Sequence, residues 1–277
     1  MEGEITTILH VSDLHFGKPA VLAQIDAVEA AMQTGHFDVI AVSGDVSQRA
    51  RAGEFQRAAV FLREARKHAQ IICVPGNHDV AWWYAPLGFG DCNRVYENYR
   101  AYIAPDLEPT LEVPGVFFTG VNTSHGIMPR TLTWNMRDLS IIGDLTPAQF
   151  ADLRERLSRA PAGAAKVVVM HHNPVAGALS QRHGLKHTRQ MLTIFGDLGV
   201  DLVLCGHDHQ EAVHYVDHTR KGVIVSTAGT VSDRSRGGRP SSYNVVTVTP
   251  ASITVVTHIW SSDARDFVPG PRQCFDR

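Results

Sequence analysis

Five short apolar runs in this chain stop at a turn bearing aspartate, asparagine or histidine. In chain order the turns read Asp13-Leu14-His15, Gly44-Asp45, Gly76-Asn77-His78-Asp79, His171-His172 and Gly206-His207-Asp208-His209. Runs of four to seven aliphatic and β-branched residues read as strands buried on both faces, which belong to largely parallel sheets covered by helices. In such sheets the loops leaving the carboxyl ends of neighbouring strands converge on one crevice. The repetition therefore points to an α/β fold in which side chains far apart in sequence meet.

The segments between the turns agree. Ile5 to Val11 reads as the first strand, and Val21, Leu22, Ile25, Val28 and Met32 recur at helical spacing until Gly35. Phe37 to Val42 is a second strand, Glu54 to Leu62 an amphipathic helix, and Gln70 to Val74 a third strand ending in Pro75-Gly76. Pro fixes φ and Gly opens backbone angles closed to other residues, so the chain turns sharply there. Trp82 to about Leu139 breaks the alternation: it holds Trp82-Trp83-Tyr84, several Pro and Gly, and one strand-like run from Val116 to Val121. We read part of it as an insertion or cap-like segment within a single domain spanning 1–277. Regular structure returns with a helix capped by Thr146-Pro147, a strand at 166–170, a helix near 188–198 and a strand at 200–204. Four further runs, at 212–216, 223–227, 243–248 and 253–259, read as antiparallel strands, interrupted by a Ser/Arg/Gly-rich loop at 232–242.

Composition excludes several classes. At 277 residues and 44% apolar content the chain can bury a large core, and a net charge of −2 gives no basic field of the kind that marks a nucleic-acid binder. No apolar run approaches the roughly 20 residues needed to cross a bilayer. Four widely spaced cysteines without a C-x-x-C pair, and a start that lacks a secretory pattern, point to reduced thiols and a cytoplasmic setting.

The strand ends supply seven candidate donors, Asp13, His15, Asp45, Asn77, His171, His207 and His209, all nitrogen or oxygen. A lone histidine at a strand end is more often a hydrogen-bonded structural residue, and an aspartate after glycine more often a turn residue. Five such ends in order are a different matter. Seven ligands exceed the needs of one transition metal and suit two ions sharing a carboxylate, for which Asp45 is our choice. Gly44, Gly76 and Gly206 each precede a donor, where a missing Cβ lets the backbone swing the next side chain inward. Asp208 alternates away from its flanking histidines and is placed outside the ligand set.

Taken together, these turns resemble the pattern of the calcineurin-like metallophosphoesterases: D-x-H, G-D, G-N-H-D/E, H and G-H-x-H, running here from Asp13 to His209. The resemblance implies a four-layer α-β-β-α sandwich of two mixed sheets flanked by helices. It implies that Asp13, His15, Asp45 and His209 hold one metal, and Asp45, Asn77, His171 and His207 the other. The ions would be divalent or trivalent, from Mn, Fe, Zn and Co, with Mn or an Fe/Mn pair favoured. His78 would be the proton donor, paired with Asp79. The compact length and the Gly-Asn-His-Asp turn look most like class III cyclic-nucleotide phosphodiesterases and related glycerophosphodiesterases, and a homodimer is implied by resemblance alone. Two such cations sharing an oxygen make a hydroxide available for in-line attack on phosphorus at neutral pH.

Asn77, His78, His172, Asn122, His125, Arg182, His183 and His187 are candidates to touch a small phosphodiester substrate. Trp82 and Trp83 are candidates by closeness to Asp79 alone, and Arg234, Arg236 and Arg239 could contact phosphate locally. Two rival readings are a phosphomonoesterase acting on nucleotides or phosphoproteins, and a scaffold that kept the fold and lost the chemistry.

Overall fold

The computed structural model describes residues 4–132, 141–177 and 184–277. Its first sheet has the order β12-β11-β10-β1-β2-β3, built from β1 (Thr6–Val11), β2 (Val39–Val42), β3 (Gln70–Cys73), β10 (Ser242–Val248), β11 (Ser252–Ser261) and β12 (Asp266–Asp276). The second runs β4-β5-β6-β7-β9-β8, from β4 (Thr110–Val113), β5 (Val116–Val121), β6 (Ala165–His172), β7 (Leu202–Gly206), β8 (Ala212–Val216) and β9 (Val223–Thr227). Both sheets are mixed. β1, β2 and β3 are mutually parallel, and so are β5, β6, β7 and β9, while the outer strands pair antiparallel.

The period-two alternation of each strand divides the core into layers. Ile8, Val39, Ala41 and Ile72 of the first sheet face Phe118, Val167, Val169 and Leu204 of the second, filling the space between them. The alternate residues Leu9, Val11, Ile40 and Val42 point outward onto Ile25, Val28 and Met32 of α1 (Leu22–Thr34) and Phe55, Phe61 and Leu62 of α2 (Ala52–Ala65). On the far side Val168, Met170, Val203 and Cys205 meet Leu153 and Leu157 of α4 (Pro147–Ser158) and Met191 and Phe195 of α5 (Thr188–Asp197). A buried side chain of this size contributes about 1.5–3 kcal/mol each, so the sandwich is held by its three apolar seams.

Thr146 caps α4 by accepting from the Gln149 amide, while the Gln149 side chain accepts from the Thr146 amide, as the Thr-Pro start predicts. Three elements were not expected. β4 is a four-residue edge strand, α3 (Glu97–Tyr102) is short, and β12 is largely exposed and carries Pro269 and Pro271 at an outer edge, so none has an apolar period to read. The run at 223–227 pairs antiparallel with β8 but parallel with β7, because the chain crosses over before entering the sheet. Within 82–132, β4 and β5 belong to the second sheet, and short helical turns such as Trp82–Tyr84 fill much of the rest. All four cysteines are free. Cys73 and Cys205 are buried, and burial pushes both thiols up to about 12, while Cys92 and Cys274 are exposed.

Candidate metal centre

The parallel strands of both sheets end at the same side of the sandwich, so the turns after β1, β2, β3, β6 and β7 come together. The ladder between β1 and β2 runs on into the turns: Asp13 N donates to the Gly44 carbonyl at 3.1 Å and His15 N to the Asp45 carbonyl at 2.9 Å. Five donors sit at positive φ, a region few residues other than glycine adopt: Asp13 (54°), His15 (46°), Asp45 (52°), His207 (72°) and His209 (56°). Each such residue costs on the order of 1 kcal/mol or more, and clusters of them mark functional sites. A Cβ on Gly76 would lie 2.1 Å from Asp45 Oδ1, and one on Gly206 would lie 1.9 Å from Ser12 Oγ and 2.5 Å from Asp13 Oδ2. Only glycine admits the turns this close.

The donors form two clusters with a shared member. In one, His209 Nε2 lies 3.1 Å from Asp13 Oδ1 and 3.2 Å from His15 Nε2. In the other, Asn77 Oδ1 lies 3.1 Å from His171 Nε2 and 3.0 Å from His207 Nδ1, and those two nitrogens are 3.2 Å apart. Asp45 Oδ2 faces both, at 3.8 Å from His15 Nε2 and 3.4 Å from His171 Nε2. Its other oxygen accepts from the His78 amide at 2.8 Å.

Hydrogen bonds behind the clusters fix which atoms carry protons. His171 Nδ1 donates to the Ser43 carbonyl at 2.8 Å and His209 Nδ1 to the Arg234 carbonyl at 2.8 Å. A carbonyl only accepts, so in the neutral rings each Nε2 presents a lone pair to carboxylate and amide oxygens that also present lone pairs. Asp13 Oδ2 accepts from the His207 amide at 3.0 Å, yet its Oδ1 is buried with no hydrogen-bond partner. Converging lone pairs and an orphaned buried carboxylate oxygen are a repulsive arrangement unless a positive charge lies among them, and this donor set fits metal cations.

Electrostatics point the same way. Burial pushes the Asp13 and Asp45 carboxyls up, but the surrounding imidazoles, His209 for Asp13 and His171 for Asp45 foremost, outweigh it and hold both well below the usual carboxylate range. Burial lowers His171 too, and Asp45 reverses that, lifting it to about 9. Burial, and after it the neighbouring His171, holds His207 well below its ordinary value.

Asp79 plays a different part from the one expected. Its carboxylate accepts from the amides of Ser47 at 2.7 Å, Gly76 at 2.9 Å and Val46 at 3.2 Å and from Ser47 Oγ at 2.8 Å, clamping the turn after β2 to the turn after β3. His78 is oriented instead by the Gln48 carbonyl, 2.7 Å from Nδ1, and its Nε2 accepts from Arg234 Nη1 at 3.0 Å. The backbone after Gly76 turns Asp79 inward and His78 outward, so adjacent residues serve different layers.

A cavity of about 620 Å³ opens beside Asn77 and His78, and Gln48, Arg49, Arg51, Trp82, Trp83 and Arg234 also line it. Several residues expected at the substrate lie elsewhere. Asn122 is buried, donating to Tyr96 Oη at 3.0 Å and accepting from the Ser124 amide, because the turn after β5 needs those bonds. His125 is packed near Gln149 and Asp144, and burial lowers its pKa. His187 precedes α5 and lines a separate cavity with Arg130 and Phe150. Arg182 and His183 lie outside the described residues. His172 is buried beside the centre, its ring centroid 4.6 Å from that of His207 and its Nδ1 2.7 Å from Thr123 Oγ1. Gln48, Arg49 and Arg51, three, four and six residues past Asp45, belong to no motif and carry no signal in the sequence.

The family model described as calcineurin-like phosphoesterase matches residues 6–211. None of the curated protein sequences matches. A purple acid phosphatase from yellow lupin (Lupinus luteus) seeds superposes with a TM-score of 0.70 at 10% identity, over 100% of this chain and 54% of that one. PhoD gives 0.67 at 12% identity over 100% of this chain and 70% of its own, and GAP50, described as the anchor in the inner membrane complex of Plasmodium, gives 0.58 at 14% identity over 98% and 89%. The chain thus spans little more than half the length of the lupin enzyme. No helix among the described residues is long and apolar enough to cross a membrane.

Proposed function

The chain belongs to the calcineurin-like phosphoesterase family, and from that premise we propose that it is a metal-dependent hydrolase of small phosphodiesters. The observation that carries this reading is Asp45 Oδ2, which faces the Asp13, His15, His209 cluster and the Asn77, His171, His207 cluster at once. Asp13, His15, Asp45 and His209 would hold one cation, and Asp45, Asn77, His171 and His207 the other. When bound, such a pair supplies charge stabilisation to phosphoryl oxygens and acidifies water at neutral pH.

The rest is the work of this chain's own residues. The Arg234 guanidinium, beside His78 in the cavity wall, binds a phosphoryl oxygen and orients the ester. His78, steered by the Gln48 carbonyl, presents Nε2 to the leaving oxygen; once the substrate has drawn Arg234 aside, that nitrogen takes up a proton from solvent and passes it to the departing oxygen. That proton matters most when an alkoxide departs, so the reading predicts turnover of esters with poor leaving groups. Asp79 keeps His78 in place indirectly, by holding the two turns together.

A scaffold role, suggested by the description of GAP50 as an anchor, is disfavoured by the buried Asp13 Oδ1, which has no hydrogen-bond donor, and by five donors at strained φ. A protein without metals has no use for either. The deciding experiment offers Mn-loaded protein bis(4-nitrophenyl) phosphate, 4-nitrophenyl phosphate and cyclic AMP. We expect kcat/KM on the bis-ester to exceed that on the monoester by about tenfold or more. Preference for the monoester overturns the diester reading, and no turnover of any of the three overturns the hydrolase reading.

A further inference from the structure

The cavity beside His78 holds more positive charge than one diester needs. Arg236 and Arg239 are neutralised by Asp208 and Glu211 at 3.4 and 2.7 Å. Arg234, on the same loop, has no carboxylate partner among the described residues and meets only Gln48 Oε1 at 3.3 Å and His78 Nε2 at 3.0 Å. Arg49 and Arg51 likewise have no ion pair among the described residues. Glu54 approaches both, but its Oε2 accepts from their backbone amides, at 2.7 and 3.3 Å, and so fixes the loop while leaving both guanidiniums without an acid. Three uncompensated guanidiniums therefore line one cavity with Asn77 and His78.

A phosphodiester carries one negative charge, which Arg234 and the metal centre beside it are placed to meet. Two further arginines suit a second anion, and the planar fork of guanidinium matches the oxygens of phosphate. The same cavity is apolar on part of its wall. Trp83 is 47% exposed and meets Trp82 edge-on, with ring centroids 6.1 Å apart at 76°, and Val80 and Ile141 adjoin. An accessible indole offers a stacking surface to a flat heterocycle, whatever its hydrogen-bonding pattern.

Resting on the reading of this site as a phosphodiesterase, we propose that its substrate is a nucleotide carrying a second phosphate group besides the scissile diester. Arg49 and Arg51 bind that second phosphate and set specificity, and Trp83 stacks on the base. The hydrolysed bond is unchanged: water adds to the diester phosphorus and gives up a proton to solvent, the ester P–O bond breaks with its electron pair on the departing oxygen, which takes a proton from His78 when it leaves as an alkoxide, and the second phosphate stays intact.

The test uses two compounds with the same scissile bond and leaving group, thymidine 5′-(4-nitrophenyl phosphate) and the same molecule bearing a 3′-phosphate. With Mn-loaded protein, the 3′-phosphorylated compound should give kcat/KM about tenfold higher, and the ratio should fall below about threefold in the R49A/R51A double variant. Equal kcat/KM for the two compounds, while bis(4-nitrophenyl) phosphate is still turned over, overturns this inference and leaves the diesterase reading standing. Should no diester be turned over, that reading falls, and calorimetric binding of thymidine 3′,5′-bisphosphate decides the inference. A dissociation constant about tenfold weaker in R49A/R51A supports it, and an unchanged one overturns it. W83A should raise KM on both thymidine compounds, and an unchanged KM removes Trp83 from the site.

Discussion

Nη1 of Arg234 lies 3.0 Å from Nε2 of His78, so the atom of the imidazole that can act on a substrate is already engaged by a cation of the protein's own. A phosphate entering the cavity competes for that guanidinium and frees the ring. The two residues should accordingly fail in different ways. H78A should lower kcat on alkyl diesters by about 100-fold or more and affect a 4-nitrophenyl ester much less, since nitrophenolate leaves without a proton. R234A should act mainly on KM, raising it by about tenfold. Steady-state kinetics of both variants on both ester types checks this, and equal losses for H78A on the two esters would rule out proton donation.

Asp45 is the one donor among the described residues that faces both clusters. D45N should therefore deplete both cations, whereas N77A, confined to the His171 and His207 side, should retain one. Elemental analysis of the purified variants gives the stoichiometry directly. A D45N protein with its full metal complement would show that the two clusters do not share a ligand.

Gly206 sits where a Cβ would fall 1.9 Å from Ser12 Oγ and 2.5 Å from Asp13 Oδ2, inside the junction of the two sheets. G206A should destabilise the protein by about 2 kcal/mol or more and lower metal content as Asp13 is displaced. Thermal unfolding measured with and without added Mn separates the two effects. By contrast G163A, at a position with nothing within 4 Å of the added Cβ, is felt only through its φ of +81° and should cost about 1 kcal/mol.

The thiols should divide two and two. Cys92 and Cys274 are exposed and should react with a maleimide or disulfide reagent in the folded protein. Cys73 and Cys205, buried and with thiols pushed up to about 12, should react only on unfolding. Mass spectrometry before and after denaturant counts the adducts, and four fast adducts would contradict the packing described for β3 and β7.

The donors were legible in the sequence because each follows a buried strand, and burial writes itself as an apolar run. The parallel strands were legible for the same reason, since Ile8, Val39 and Val167 belong to unbroken aliphatic stretches buried on both faces, whereas their division between two sheets was implied by the family resemblance alone. What the sequence hid was direction. Asp79 and His78 are neighbours, and which of them points at the centre depends on the turn at Gly76 and on amides contributed by Val46 and Ser47, over thirty residues away. Asn122 and His125 looked like site residues because they follow a strand, β5, whose end has its own bonding needs, met by Tyr96 and Ser124. Arg49 and Arg51 were overlooked because exposed arginines are unremarkable until the acids that could neutralise them are seen to be occupied elsewhere.

β12 closes one side of the first sheet with Pro269 and Pro271 in its middle, where His258 of β11 pairs with Pro269. Neither proline has an amide hydrogen, so β12 offers fewer backbone donors than an unbroken strand would. Two prolines in its middle make β12 a poor template for another strand, which disfavours growth of the sheet at this margin into a fibre or a strand-exchanged pair.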